Sequence, residues 1–125
     1  MTEPFGPESQ PVGLLVSRDL MFTSKVTGTG QLVGLRIEVV PDCATAAARI
    51  AAAPASCVFV DLALPGQNLA QFIAGLPTGR RPPVIAFGSH VATSQLQAAR
   101  DAGCDDVLPR SRFSAGLPEL LRKYA

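Results

Sequence analysis

Apolar residues along this chain gather into short runs, separated by longer stretches in which they recur at helical spacing. Val12–Val16 is a short apolar strand, and over residues 19–34 Phe22, Val26 and Val33 suit one helical face, with Gly28 and Gly30 weakening the far end. Arg36–Val40 reads as a strand with β-branched residues. Pro41-Asp42 then opens an alanine-rich helix that Pro54 closes, with Asp42 as its N-cap. A third strand runs from Cys57 to Asp61, and a helix spans about residues 68–76 before the turn-rich segment 77–83. Val84–Gly88 is a fourth apolar strand. Thr93 or Ser94 caps a helix that Gly103 stops, Val107 and Leu108 form a short fifth strand, and Ser114 starts a last helix ending near Tyr124. Residues 1–11, with their Pro, Gly and Glu, read as a flexible tail, and residues 12–125 as a single domain.

Five strand-then-helix units demand a parallel sheet, because each crossover is long enough to be helical and right-handed crossovers cover both faces. The predicted class is α/β, a doubly wound five-stranded parallel sheet of the flavodoxin-like (βα)5 kind with strand order 2-1-3-4-5. In such a sheet the ends of the first, third, fourth and fifth strands meet at one edge. Ser17, Arg18, Asp19, Asp61, Gly88, Ser89, His90, Pro109 and Arg110 are therefore the predicted lining of one pocket.

Composition narrows the chemistry. With 125 residues the chain forms one domain that buries roughly two thirds of the surface its unfolded form would expose. Eleven basic against ten acidic residues give a net charge of +1, and no basic run exceeds Arg80-Arg81, which argues against a nucleic-acid partner. Cys43, Cys57 and Cys104 are odd in number and far apart, and His90 is the single histidine, so neither a disulfide framework nor a zinc site is expected. Structural thiols in a reducing cytoplasm fit better. No signal-peptide h-region or long apolar stretch is present, so the expected location is cytoplasmic, with no membrane span.

The segment CVFVDLALPG, residues 57–66, carries the most specific chemistry. Val58, Phe59 and Val60 can be buried on both faces of a parallel strand, and Pro65-Gly66 turns the chain out of it. Asp61 is thereby left at the strand's C-terminal end, where open α/β sheets put their ligand sites, although an aspartate there can also simply cap the loop.

DLALPG, together with PVIAFGS (83–89) and GCDDVLPR (103–110), resembles the receiver domains of two-component response regulators, the CheY-like family, over residues 13–124. The resemblance implies that Asp61 stands at the phospho-acceptor position. It also marks departures. The two acids that bind Mg²⁺ with the acceptor in the family fall on Ser17 and Arg18, and Asp19, one residue later, would face away in the family's geometry. The family's lysine falls on Arg110, its switch hydroxyl on Gly88 and its coupled aromatic on Val107. One carboxylate beside a guanidinium holds a hard dication poorly, so the Mg²⁺ site is expected to be lost and no cofactor is expected. Arg18, Arg110 or both are instead expected against Asp61 as an internal ion pair. For Arg18 the alternative is a solvated arginine at a strand end; His90, in the loop after the fourth strand, is a candidate proton donor, pH-sensitive group or partner contact, with a solvated loop histidine as the alternative.

The expected function is a degenerate receiver, a signal-transduction module rather than an enzyme. It would act by protein–protein interaction with a histidine kinase or an output protein, with phosphorylation lost or weakened. By resemblance to how receivers engage partners or dimerise, the 93–102 helix, the fifth strand and the last helix are the expected contact surface, with Leu117, Leu120, Leu121 and Tyr124 as a candidate apolar face and a homodimer as a further expectation. The alternatives are a working phosphorelay receiver that takes phosphate on Asp61, and a small-ligand or enzymatic domain on the same sheet edge. The latter would depend on Ser17, Ser89 and His90 without a G-x-S-x-G elbow. Since the chain ends at Ala125, close after the last helix, it is expected to be free-standing or one piece of a larger protein.

Overall fold

The computed structural model describes residues 10–125, so nearly all of the expected tail, residues 1–11, lies outside the described residues. Five parallel strands form one sheet: β1 (Val12–Val16), β2 (Arg36–Val40), β3 (Cys57–Asp61), β4 (Val84–Gly88) and β5 (Asp106–Pro109), in the order β2-β1-β3-β4-β5. The order and class are those the sequence predicts. Helices α1 (Leu20–Val33), α2 (Cys43–Ala52), α3 (Leu69–Ala74) and α4 (Thr93–Asp101) lie in the crossovers, α5 (Arg110–Ala115) and α6 (Leu117–Tyr124) follow the last strand, and together they cover both faces.

Strand alternation sorts the core into two sides. Leu14, Val16, Val58 and Val60 face the α2 and α3 side with Cys43, Ala46, Ile50 and Phe72. Leu15, Phe59, Ile85 and Phe87 face the other side, where Val26 of α1, Phe113 of α5 and Leu117 and Leu121 of α6 meet them. All five residues of β3 and of β4 are buried, as strands covered on both faces must be.

Local chemistry sets the ends of the helices. Asp19, Asp42 and Asn68 cap α1, α2 and α3 by accepting from Phe22, Thr45 and Gln71 main-chain N–H groups at 3.0, 2.7 and 3.0 Å. Helix α1 continues through Gly28 and Gly30. At Gly30 the glycine is required, because a Cβ would stand 2.5 Å from the Leu35 carbonyl oxygen and 2.9 Å from Cγ1 of Ile37.

Two boundaries differ from expectation. Neither Thr93 nor Ser94 caps α4: the N-cap position is Ala92, with no side-chain bond. The last helical region starts at Arg110, directly off β5, rather than at Ser114, and divides at Gly116 into α5 and α6. Pro118 has no N–H to give to the preceding turn, so one long helix cannot pass through it. Leu117 and Leu121 are fully buried against the sheet, so these leucines cover the core rather than form an outward apolar face.

Candidate functional site

Strand register brings the site together. Val16 is level with Val60, so Ser17, one residue on, stands beside Asp61; Asp61 is level with Phe87, and Gly88 with Pro109. Arg110, the next residue, must therefore reach across β4 to meet Asp61. It does so over the Phe87 ring.

Asp61 is 4% exposed, and both of its carboxylate oxygens have partners. Oδ2 accepts from the buried Ser17 hydroxyl at 2.8 Å. Oδ1 accepts from the Ala63 main-chain N–H at 3.0 Å and from Nη2 of Arg110 at 2.7 Å. The Arg110 guanidinium lies 4.7 Å from the ring centre of Phe22 and 5.2 Å from that of Phe87, within cation–π range of both faces. Behind them Phe113 stacks on Phe87, with ring centres 4.3 Å apart. The cation is thus held by charge on one side and by an aromatic shelf beneath.

Asp19 sits on the outer side of the same guanidinium, with Oδ2 3.9 Å from Nη1 of Arg110 while Oδ1 caps α1. It is turned toward Arg110 rather than away from the site. Its main-chain N–H also donates to Ser17 Oγ at 3.2 Å, joining the two residues into one network.

The remaining predicted lining is dispersed. Arg18 is exposed and its Nε donates to the Pro41 carbonyl oxygen at 3.1 Å, so of the two arginines only Arg110 contacts Asp61. Ser89 and His90 are exposed in the turn after β4, where Ser89 Oγ accepts from the Val91 N–H at 3.4 Å; neither hydrogen-bonds Asp61. Gly88 is buried under Leu62, and Val107 is buried among Ala86, Leu96 and Ala99. Pro109 ends β5 and delivers Arg110. Among the described residues no three His, Cys, Asp or Glu side chains group as metal ligands would.

Gln67 extends the motif's reach. Its Oε1 accepts from the Cys43 N–H at 2.8 Å and its Nε2 donates to Pro65 O at 3.1 Å, so the LPGQ turn caps α2 from outside. Gly66 adopts φ +76°, which the Pro-Gly turn needs and other residues resist. The cysteines are free and take no part in the site. Burial pushes the Cys57 thiol up to about 12, and those of Cys43 and Cys104 up to about 11.

Solved structures share this architecture. The receiver domain of the sensor histidine kinase PA1611 from Pseudomonas aeruginosa PAO1, with magnesium in its active-site cleft, aligns at TM-score 0.76 and 21% identity over 92% of this chain and 97% of that one. The chain has the receiver fold. A putative response regulator from Chloroflexus aurantiacus J-10-fl aligns at TM-score 0.77 and 16% identity, covering 92% of this chain and 97% of that one. The chemotaxis response regulator CheY4 of Vibrio cholerae aligns at 0.74 and 17%, covering 93% and 99%. No family model and no curated protein matches the sequence. Within the receiver fold, the β3 end that carries Asp61 and the β5 end that carries Arg110 are the places the sequence motifs mark.

Proposed function

We propose that this chain is a receiver-like signal-transduction module that binds another signalling protein, a histidine kinase or an output protein, with Mg²⁺-dependent phosphorylation of Asp61 lost or weakened. The observation that carries this is the partnered carboxylate: Arg110 Nη2 stands 2.7 Å from Oδ1, which Ala63 N–H also reaches, and the Ser17 hydroxyl bonds Oδ2. A hard dication needs several oxygen ligands. Close to Asp61 the chain offers a serine hydroxyl and, beyond the guanidinium, Asp19. The fixed positive charge already bonds one of the two oxygens, and Asp61 has no second carboxylate on its own side of that guanidinium, so this donor set fits Mg²⁺ poorly. An internal cation takes the ion's electrostatic place without its coordination chemistry.

Without that chemistry, recognition of the surface remains. Gln97, Arg100 and Asp101 of α4, Asp106 of β5 and Glu119 and Arg122 of α6 are exposed and mixed in charge, a suitable face for a partner protein or a second copy. The near-balanced charge disfavours nucleic acid. Among the described residues no helix is long and apolar enough to cross a membrane, and three free thiols fit a reducing cytoplasm.

Incubation with acetyl phosphate and Mg²⁺ followed by intact mass tests the reading. The wild type is expected to stay unmodified. A Mg²⁺-dependent gain of one phosphoryl group, absent in Asp61→Ala, would instead make the chain a working phosphorelay receiver.

A further inference from the structure

Gly88 closes β4 and is buried, yet its backbone does not require glycine. Among the described residues positive φ belongs to Gly34, Gly66, Gly79 and Gly103. Space is what crowds a side chain there. A Cβ on Gly88 would stand 3.2 Å from Cβ and 3.3 Å from Cδ1 of Leu62, and 3.6 Å from Cδ2 of Leu96 on α4. Leu62 therefore lies across the bare end of β4 and faces α4 on its far side.

Leu62 follows Asp61 directly, and its backbone is pinned twice. Its own N–H donates to Phe87 O at 2.9 Å, and the next N–H, that of Ala63, donates to Asp61 Oδ1 at 3.0 Å. Its side chain joins the cluster of Ala86, Leu96, Ala99 and Val107. Asp61, by contrast, shares the Phe59 and Phe87 side of the sheet, where Arg110 covers it. Strand alternation thus separates the charged site from the α4 contact by a layer of backbone.

We propose that Leu62 seated on Gly88 is a steric latch that holds α4 in one position whatever ionic partner Asp61 has. The contact is made by carbon atoms, and the Ala63 N–H bond that helps pin Leu62 needs an oxygen on residue 61 rather than a charge, so a change of ionic partner at Asp61 does not enter it. The outer face of α4, with Gln97, Arg100 and Asp101, is then a constant surface rather than a switched one. This goes beyond the proposed function and stands whether or not Asp61 accepts phosphate.

Amide hydrogen exchange across α4 tests the latch, with wild type, Asp61→Asn, Leu62→Ala, Gly88→Ala and the Leu62→Ala/Gly88→Ala double variant. Asp61→Asn is expected to change α4 exchange no more than it changes that of α1 and α2, whereas Leu62→Ala accelerates α4 about tenfold or more beyond those two helices. Gly88→Ala is expected to lower Tm through its clash with Leu62, and much less so in the double variant. Should Leu62→Ala fail to fold, Leu62→Val shortens the same contact and gives the same comparison. The latch is overturned if the shortened side chain leaves α4 exchange unchanged. It is equally overturned if Asp61→Asn accelerates that exchange as strongly, or if the two alanine substitutions act additively.

Discussion

Nη2 of Arg110 lies 2.7 Å from Oδ1 of Asp61, although β4 runs between the elements that carry them. The two ends of this pair differ in exposure: the Asp61 side chain is 4% exposed and that of Arg110 is 31%. That asymmetry makes the two deletions unequal. Arg110→Ala strands a buried carboxylate and is expected to cost about 2 kcal/mol, below the range for a fully buried pair because the guanidinium is partly solvated. Asp61→Asn leaves a cation that water can reach and is expected to cost about 1 kcal/mol. Urea denaturation of both variants at neutral pH checks the order; a larger loss in Asp61→Asn would contradict it.

Gly28 and Gly30 share one helix but not one environment. A Cβ on Gly28 meets nothing within 4 Å, whereas one on Gly30 runs into the Leu35 carbonyl and Ile37. Gly28→Ala is therefore expected to stabilise by about 0.5–1 kcal/mol through helix propensity alone. Gly30→Ala is expected to destabilise by about 2 kcal/mol or more, since backbone cannot yield as a flexible side chain does. Thermal melts of the two variants should move in opposite directions.

The buried thiols give a pH dependence with a definite sign. Cys57 is raised from 9.0 to about 12, and Cys43 and Cys104 from 9.0 to about 11, each first by burial. A group raised on folding holds its proton more tightly in the folded state, so its contribution is complete below pH 9.0 and is lost as pH climbs toward the folded values. Stability measured by urea denaturation should fall as pH rises above that point. A thiol reagent at pH 8 should leave Cys57 unmodified in the native protein and react with it after unfolding.

Much of this was legible in the sequence. The short apolar runs of β1, β3 and β4 and the turn residues between them dictate a parallel sheet, and the Leu-Pro-Gly after Asp61 fixes that carboxylate at a strand end. The aromatic shelf was not legible, because Phe22 and Phe87 read as ordinary core positions; only the three-dimensional register shows that Arg110 must pass over them. Arg18 and Arg110 look alike as strand-end arginines, and their different partners depend on which way the following turn carries each side chain. Leu62 and Gln67 carry no chemical signature of their own. Their roles come from what lies opposite, Gly88 in one case and the start of α2 in the other.

The proposed function depends on Arg110 standing in the electrostatic place of a divalent ion beside Asp61. Titrating Mg²⁺, with and without beryllofluoride, into the protein while following the backbone amide shifts of β4 and β5 tests it most directly. The predicted result is the absence of any saturable shift in the wild type. Saturable binding with movement of those two strands, lost in Asp61→Asn, would contradict it.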